Sequence, residues 1–319
     1  MSHTTVCILG GSGFVGKHIA SQLIANNYHV HILTRRKSHC MDLSVLPNLT
    51  IIETDIHDQN QLNNATTDMD VVINLVGILN EKQHNGDGFR RAHVDLARKI
   101  LNACHQNKIP RLLQMSALNA DASQGTSHYL RTKGEAENLI HAFAGEINVT
   151  SFRPSVIFGE DDSFFNRFAG ILKMTPLIFP LACAQAKLSP VHVEEVAHFF
   201  VDAINNKASY DQRIDICGPE TFTLKDLVSY TSQQLNRKHW IVSLPDTLSQ
   251  LQAIILEYVP GKPFSIDNYD SLQLDSVCKE EQMYTATHSL KTIVPTYLGT
   301  KNHFHRDDQY RQQSRRNSN

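Results

Sequence analysis

A chain of 319 residues, with 41% hydrophobic and 19% charged residues, has the composition of a globular protein and the length for one doubly wound domain with an added lobe. Its formal net charge of −2 provides no positive field, so nucleic acid is not an expected partner. No apolar run approaches the ~20 residues that a membrane-spanning helix needs.

The chain opens with an apolar strand that leads into a glycine-rich turn and a helix over residues 14–26. Gly10 allows a tight turn, Gly13 lets the backbone approach a pyrophosphate, and Gly16 lets helix and strand pack closely. The N–H groups of the helix N-terminus, with its partial positive charge, favour phosphate. This order of elements predicts a dinucleotide site that includes Gly10, Ser12, Gly13, Phe14, Val15 and Gly16.

Strands and helices alternate through the first half of the chain. Strands are predicted over residues 4–9, 29–33, 50–53, 70–76, 111–116 and 148–153, and helices over residues 14–26, 59–65, 89–107 and 130–144. Continuous apolar strands such as residues 71–76 are expected where both faces of a parallel sheet are covered. The fold class predicted is α/β, a doubly wound parallel sheet of the Rossmann type.

The end of the second strand is basic. Arg35 and Arg36 occupy the region where a site that prefers NAD usually carries an acidic residue for the ribose 2′-hydroxyl. A guanidinium group suits a 2′-phosphate, so NADP(H) is favoured over NAD(H). The alternative is an exposed basic loop.

Other strand ends extend the predicted cofactor site. An acidic side chain after the third strand is suited to the adenine edge, and the fourth strand ends where the backbone can approach the cofactor closely. The residues concerned are Asp55, Ile56, Leu75, Val76 and Gly77, with Lys133 and Pro154 added as further cofactor contacts.

A candidate catalytic group follows the fifth strand. Tyr129 and Lys133 are four residues apart and therefore share one helix face, and Ser116 ends the strand. Together they resemble the serine, tyrosine and lysine of the short-chain dehydrogenase/reductase superfamily. The positive charge of the lysine and that of an oxidised nicotinamide are expected to lower the phenol pKa for proton exchange, and the serine hydroxyl would hold the substrate oxygen. The alternative is a surface helix pair.

Composition divides the chain into a nucleotide-binding domain over residues 1–153, a smaller substrate or partner lobe over 154–299, and a disordered tail over 300–319. The apolar segment 164–184 is either lobe core, a pocket for an apolar substrate such as a quinone, or a membrane-docking surface. No histidine spacing suggests a metal ligand set, so no metal is expected.

Six cysteines without a CxxC pair, several within apolar runs, suggest reduced and buried thiols. The first strand begins close to Met1, which leaves no room for a signal or transit peptide. A cytoplasmic protein is therefore expected, with a peripheral place at the inner face of the membrane as a further option.

Longer stretches resemble one branch of the superfamily. They include residues 72–79, 115–118, 129–137, 152–159, 162–168 and 190–197. The chain resembles the atypical extended, epimerase/dehydratase-like short-chain dehydrogenases related to the nucleotide-binding accessory subunit of respiratory complex I.

The resemblance implies a bound NADPH and leaves two functions open. One is an oxidoreductase acting on a carbonyl, an alcohol or a quinone-like small molecule, with Tyr129 as acid/base, Lys133 as its electrostatic partner and Ser116 as the substrate orienter. The other is a nucleotide-bearing accessory subunit of a respiratory assembly, since members of this branch keep the tyrosine and lysine without an assigned reaction.

Overall fold

The computed structural model describes residues 4–279 and 283–298. The strands are β1 Thr5–Leu9, β2 His29–Thr34, β3 Leu49–Glu53, β4 Val71–Asn74, β5 Arg111–Met115, β6 Asn148–Pro154, β7 Ile157–Phe158, β8 Ile178–Leu181, β9 Lys187–Leu188, β10 Val191–His192, β11 Gln212–Ile216, β12 Phe222–Thr223 and β13 Trp240–Ser243. The helices are α1 Phe14–Ala25, α2 Gln59–Ala65, α3 Asp87–Arg90, α4 Leu96–Asn107, α5 His128–His141, α6 Phe165–Met174, α7 Val193–Ala203, α8 Leu224–Gln234, α9 Asp246–Glu257, α10 Ile266–Ser271, α11 Leu290–Ile293 and α12 Pro295–Leu298.

A seven-stranded parallel sheet forms the centre of the molecule, in the order β11-β6-β5-β4-β1-β2-β3. The order in which strands are added to the sheet reverses between β1 and β4. This is the switch point at which doubly wound sheets bind ligands, outside the carboxyl ends of the strands. Strand β4 is buried over its whole length, as expected for a sheet covered on both faces. The predicted fold class is confirmed.

Two apolar layers cover the sheet. Helices α1 and α7 pack together over one face, where Ile19 and Val196 join a common core with Ile8 and Ile73. On the other face, Leu62 of α2, Leu96 of α4 and Ala136 of α5 belong to a second core. The carboxyl ends of the strands lie between these layers, where a doubly wound sheet is expected to bind its ligand.

The predicted starts differ from the structure at two helices. The helix predicted over residues 89–107 begins at Asp87 and contains a π-helical turn over Arg91–Asp95. Helix α5 begins at His128, ahead of the predicted residue 130, because the Ser127 side chain caps it by accepting a hydrogen bond from the N–H of Leu130.

The second half of the chain builds a lobe with its own apolar core. Phe158, Phe165, Leu172 and Leu227 lie in this core, which lies apart from the two sheet layers. The predicted boundary after residue 153 stays a prediction, and the chain crosses it, since α7 and β11 return to the sheet. The predicted tail over 300–319 lies outside the described residues. No helix within the described ranges is long and apolar enough to cross a bilayer.

The prediction that all six cysteines are reduced thiols is wrong for one pair. Cys217 and Cys278 form a disulfide with Cα atoms 5.9 Å apart, while Cys7, Cys40 and Cys104 are free and buried and Cys183 is free and half-buried. The pair is 61 residues apart in sequence, and only the return of residues 276–278 to the end of β11 brings the two together. Because structural disulfides form in oxidising compartments, the cysteines no longer support the expectation of a reducing compartment.

Reduction of this disulfide is expected to lower the free energy of unfolding by about 2–4 kcal/mol, because the bridge limits the freedom of a long loop in the unfolded chain. Thermal unfolding with and without reductant measures the effect. A Cys217→Ser/Cys278→Ser variant should unfold like the reduced protein and should not respond to reductant. Equal melting temperatures for the oxidised and reduced protein would contradict the prediction.

Candidate active site

The glycine turn between β1 and α1 has the geometry of a phosphate cradle. Gly10 adopts a φ of +81°, and its carbonyl accepts the N–H of Gly13 at 3.0 Å. A Cβ at Gly16 would lie 2.5 Å from the Gly10 carbonyl oxygen, so α1 closes onto the turn only because this residue lacks a side chain. Gly13, exposed and at the N-cap, offers no side-chain cap to the first turn of α1. The helix N-terminus is thus available to an anionic ligand.

The end of β4 approaches both the glycine turn and helix α5. A Cβ on Gly10 would lie 3.2 Å from the Leu75 carbonyl carbon, so these two backbones are in contact. A Cβ on the exposed Gly77 would lie 3.0 Å from Lys133 Nζ. A side chain at Gly77 would therefore crowd the Lys133 amine, so the glycine keeps the space beside the amine open.

The other predicted cofactor residues line the same carboxyl edge of the sheet. Phe14 packs towards Gly159, where a Cβ would lie 3.0 Å from the phenylalanine ring, and Pro154 is buried at the end of β6. Ser12, Val15, Ile56 and Val76 are half-buried, and Asp55 is exposed.

The basic end of β2 faces solvent. The side chains of Arg35 and Arg36 are exposed, and the Arg36 backbone is fixed by hydrogen bonds in both directions with the Thr34 hydroxyl, at 3.1 and 3.3 Å. The nearby carboxylate of Glu53, at the end of β3, accepts the N–H of Lys37 at 3.1 Å. The exposed guanidinium groups of Arg35 and Arg36 therefore lie at this edge of the predicted nucleotide site, on a backbone that hydrogen bonds hold in place.

The predicted catalytic residues meet at the end of β5. Lys133 is buried, and its Nζ donates a hydrogen bond to the Met115 carbonyl at 3.0 Å while lying 6.0 Å from the centre of the Tyr129 ring. The next residue, Ser116, is held by its N–H on the Phe152 carbonyl at 2.7 Å. Its hydroxyl is buried and has no hydrogen-bond partner among the described residues. A buried unpartnered hydroxyl costs free energy, which suggests that a ligand oxygen satisfies it.

The site shifts the pKa values of Tyr129 and Lys133 in opposite directions. Burial raises the pKa of Tyr129 to about 12, and the negative charge of Asp267 adds to that shift. Burial lowers the pKa of Lys133 to about 8, against a smaller opposing effect of Glu137. The sequence predicted that Lys133 and an oxidised nicotinamide together lower the phenol pKa; the protein groups around Tyr129 act in the other direction, because burial and Asp267 oppose the phenolate.

Asp267 is a site residue that the sequence pattern did not reveal. It comes from α10 of the second lobe, and its carboxylate accepts the N–H groups of His128 at 2.7 Å and of Tyr129 at 3.3 Å. It thereby places a negative charge at the N-terminus of α5, where the helix dipole favours it. Asp267 lies more than 130 residues after Tyr129 in the chain, so no local motif signals the contact.

Two aromatic rings also lie close to Tyr129. The rings of His93 and Phe89 lie 5.6 and 6.2 Å from it, centre to centre. His93 Nε2 accepts the Ile78 N–H at 3.3 Å, which leaves its Nδ1–H to donate to the Thr132 hydroxyl at 2.8 Å. Burial and the charge of Lys133 hold the His93 pKa well below its usual range, so this imidazole is neutral.

Replacing Asp267 by asparagine is expected to lower the pKa of Tyr129, because the negative charge that disfavours the phenolate is removed. The amide oxygen still accepts a backbone N–H at the start of α5, so the helix cap is kept. The spectrophotometric titration of phenols, compared with the same titration in a Tyr129→Phe background, isolates this one group. An Asp270→Asn variant is the control, and an unchanged Tyr129 titration in Asp267→Asn would contradict the prediction.

Comparison with known proteins agrees with this geometry. The model of the 3-beta hydroxysteroid dehydrogenase/isomerase family matches residues 7–242, and the chain belongs to that family of nicotinamide-nucleotide-binding proteins. The resemblance to the extended short-chain dehydrogenases is thereby confirmed.

Two curated relatives are subunits of respiratory enzymes. NADH dehydrogenase [ubiquinone] 1 alpha subcomplex subunit 9 of Mus musculus is 28% identical over 251 residues, which cover 77% of this chain and 65% of the relative. The NADH-ubiquinone oxidoreductase 40 kDa subunit of Neurospora crassa is 22% identical, covering 76% of this chain and 63% of the relative. The chain thus matches slightly less than two thirds of the length of these relatives.

Solved structures share the fold at low identity. The structure of MoeE5 in complex with UDP-glucose and NAD superposes with a TM-score of 0.70 and 18% identity, over 92% of this chain and 97% of that one.

Proposed function

We propose that this chain is an NADP(H)-dependent reductase of a small carbonyl compound, with Ser116, Tyr129 and Lys133 as its catalytic residues. The observation that carries the proposal is the buried, unpartnered hydroxyl of Ser116, the residue that follows the Met115 carbonyl held by the Lys133 amine. Gly10, Gly13 and Gly16 would hold the pyrophosphate at the start of α1. The nicotinamide, when bound, supplies hydride.

The protein groups handle the oxygen and the proton. The Ser116 hydroxyl would donate a hydrogen bond to a substrate carbonyl oxygen. Because the Tyr129 phenol keeps its proton up to a pH of about 12, it is suited to donate that proton to the oxygen as it becomes an alcohol. Lys133, with a pKa of about 8, carries a positive charge at neutral pH and favours negative charge developing on the substrate oxygen.

A pocket of the second lobe has the size of a small-molecule site. Its volume is about 340 Å³, and Cys183, Leu244, Leu272 and Asp275 are among its lining residues. The Asp275 carbonyl accepts a hydrogen bond from Asn119 at 2.9 Å, three residues after Ser116, which ties the pocket to the end of β5.

The test of the proposal is the loss of NADPH absorbance when the purified protein is mixed with a panel of ketones, aldehydes and quinones. Turnover of at least one compound class, with NADPH preferred over NADH, is the expected result. Tight binding of the nucleotide without turnover of any of these compounds would contradict the reductase function.

A second candidate is an accessory subunit of a respiratory assembly, in which the nucleotide stabilises the fold without turnover. It is favoured by the two relatives that are subunits of NADH dehydrogenases. Co-purification of the tagged chain with a respiratory complex, undisturbed by Tyr129→Phe, would support it. Either function is compatible with a peripheral place at the inner face of a membrane.

The cofactor preference rests on Arg35 and Arg36. An Arg35→Ala/Arg36→Ala variant is expected to weaken NADPH binding by about 10- to 100-fold, because two charge-assisted contacts to the 2′-phosphate are lost. NADH binding should change by less than about threefold, since that nucleotide lacks the phosphate. Calorimetric titration with both nucleotides measures this, with the exposed Lys207→Ala as the charge control. Equal losses for both nucleotides would contradict a 2′-phosphate contact.

A further inference from the structure

Helix α9 turns its apolar side outward. The residues that it buries against the protein are small or polar: Ser249, Ala253 and Glu257. The residues that it and the following turn expose are large and apolar: Leu248, Leu251, Ile254, Ile255, Tyr258 and Val259. A surface helix of a globular protein normally shows the reverse arrangement, so this face is built to meet something apolar.

The two-stranded sheet of β8 and β13 shows the same feature. Phe179 and Ile241 are buried beneath it, while Trp240 is 74% exposed on its outer side. The other outward residues of the two strands are Ile178, Pro180 and Val242, and the pairing places Trp240 opposite Ile178 and Val242 opposite Pro180. The whole outer side of this sheet is therefore apolar.

The helix and the sheet form one continuous surface. The Gln252 side chain of α9 donates to the Pro180 carbonyl at 3.1 Å and accepts the N–H of Ala182 at 3.1 Å, which holds α9 against β8. At the start of β13, the backbone N–H of Trp240 donates to the Leu177 carbonyl at 2.7 Å. This contact joins the exposed Met174 and Leu177 to the same surface. We call α9 with residues 174–180 and 240–242 the apolar face.

Positive charge lies at the edge of the apolar face. Arg237 Nη1 donates to the Lys173 carbonyl at 2.9 Å, so Lys173, Arg237 and Lys238 gather beside Trp240. Two carboxylates also lie on α9: Asp246 accepts the Tyr269 hydroxyl at 2.6 Å, and the buried Glu257 pairs with His84. The edge beside Trp240 itself carries three positive side chains in a chain whose formal net charge is −2.

We propose that the apolar face docks on a bilayer that contains anionic lipids. Exposed aliphatic side chains with tryptophan and tyrosine at the surface match the acyl and headgroup boundary, and Lys173, Arg237 and Lys238 match anionic headgroups. This surface deepens the peripheral location proposed above, and it stands or falls independently of nucleotide binding.

The test is sedimentation of the full chain with vesicles of phosphatidylcholine alone and of phosphatidylcholine with phosphatidylglycerol. The wild type should sediment with the anionic vesicles and far less with the neutral ones. Trp240→Ser/Leu251→Ser and Lys173→Glu/Lys238→Glu should each lower the partition coefficient by at least about tenfold.

Matched controls lie elsewhere on the molecule. Met41→Ser/Val45→Ser removes two apolar side chains of equal or greater exposure, and Lys108→Glu/Lys207→Glu makes the same charge change. Both should sediment like the wild type. Unchanged melting temperature and NADPH affinity in every variant show that the fold is intact.

The proposal would be overturned if the wild type did not bind anionic vesicles, or if the variants of the apolar face and its edge bound as well as the control variants. A wild-type dimer that Trp240→Ser/Leu251→Ser converts to a monomer would also overturn it, by assigning the apolar face to self-association.

Discussion

Replacing Tyr129 by phenylalanine is expected to lower kcat for carbonyl reduction by about 10³-fold, because the only proton donor proposed for the substrate oxygen is lost. The ring stays against Phe89 and His93, so the fold and the nucleotide affinity should not change. Steady-state kinetics and calorimetric titration with NADPH measure the two effects separately.

Tyr258→Phe is the matched control, since Tyr258 is exposed at the end of α9 and should leave kcat unchanged. Retention of more than about one tenth of the wild-type kcat in Tyr129→Phe would mean that another group, or water, supplies the proton.

Replacing Gly16 by alanine is expected to weaken binding of NADPH at least about tenfold and to lower the free energy of unfolding by about 1–3 kcal/mol. The added Cβ would lie 2.5 Å from the Gly10 carbonyl oxygen and 2.6 Å from the Gly11 Cα. Both contacts are with backbone, so α1 and the glycine turn must separate and the first-turn N–H groups move. Chemical denaturation and nucleotide titration of the same variant measure both effects.

Gly170→Ala is the matched control for helix propensity. Gly170 lies within α6 with open space at the position of its Cβ, so alanine should stabilise the protein by up to about 1 kcal/mol. If Gly16→Ala behaved in the same way, the close packing of α1 on the turn would not be a requirement of the site.

Local sequence patterns predicted the sheet, and they selected candidate site residues that lie along one edge of it. The glycine spacing, the continuous apolar strands and the four-residue spacing of Tyr129 and Lys133 depend on neighbours in the chain, and the structure places them within one edge of the sheet. Helix starts were less accurate, because the cap at Ser127 acts before the apolar pattern of α5 begins.

Features that depend on distant segments were not predicted. The carboxylate of Asp267 reaches the start of α5 only because the second lobe folds back, and the same return pairs Cys217 with Cys278. The sequence left the role of segment 164–184 open, and the structure divides it: Phe165 and Leu172 are core, whereas Leu177 and Ile178 are exposed. The effect of burial and of Asp267 on the Tyr129 pKa was also not predicted, since burial is a tertiary property.

Native mass spectrometry of the protein purified without added nucleotide tests the central claim most directly. The account predicts a complex with one NADP(H) per chain in the wild type, and its loss in Arg35→Ala/Arg36→Ala and Gly16→Ala. A wild-type chain that carries no dinucleotide, and that acquires none when NADPH or NADH is added, would contradict it.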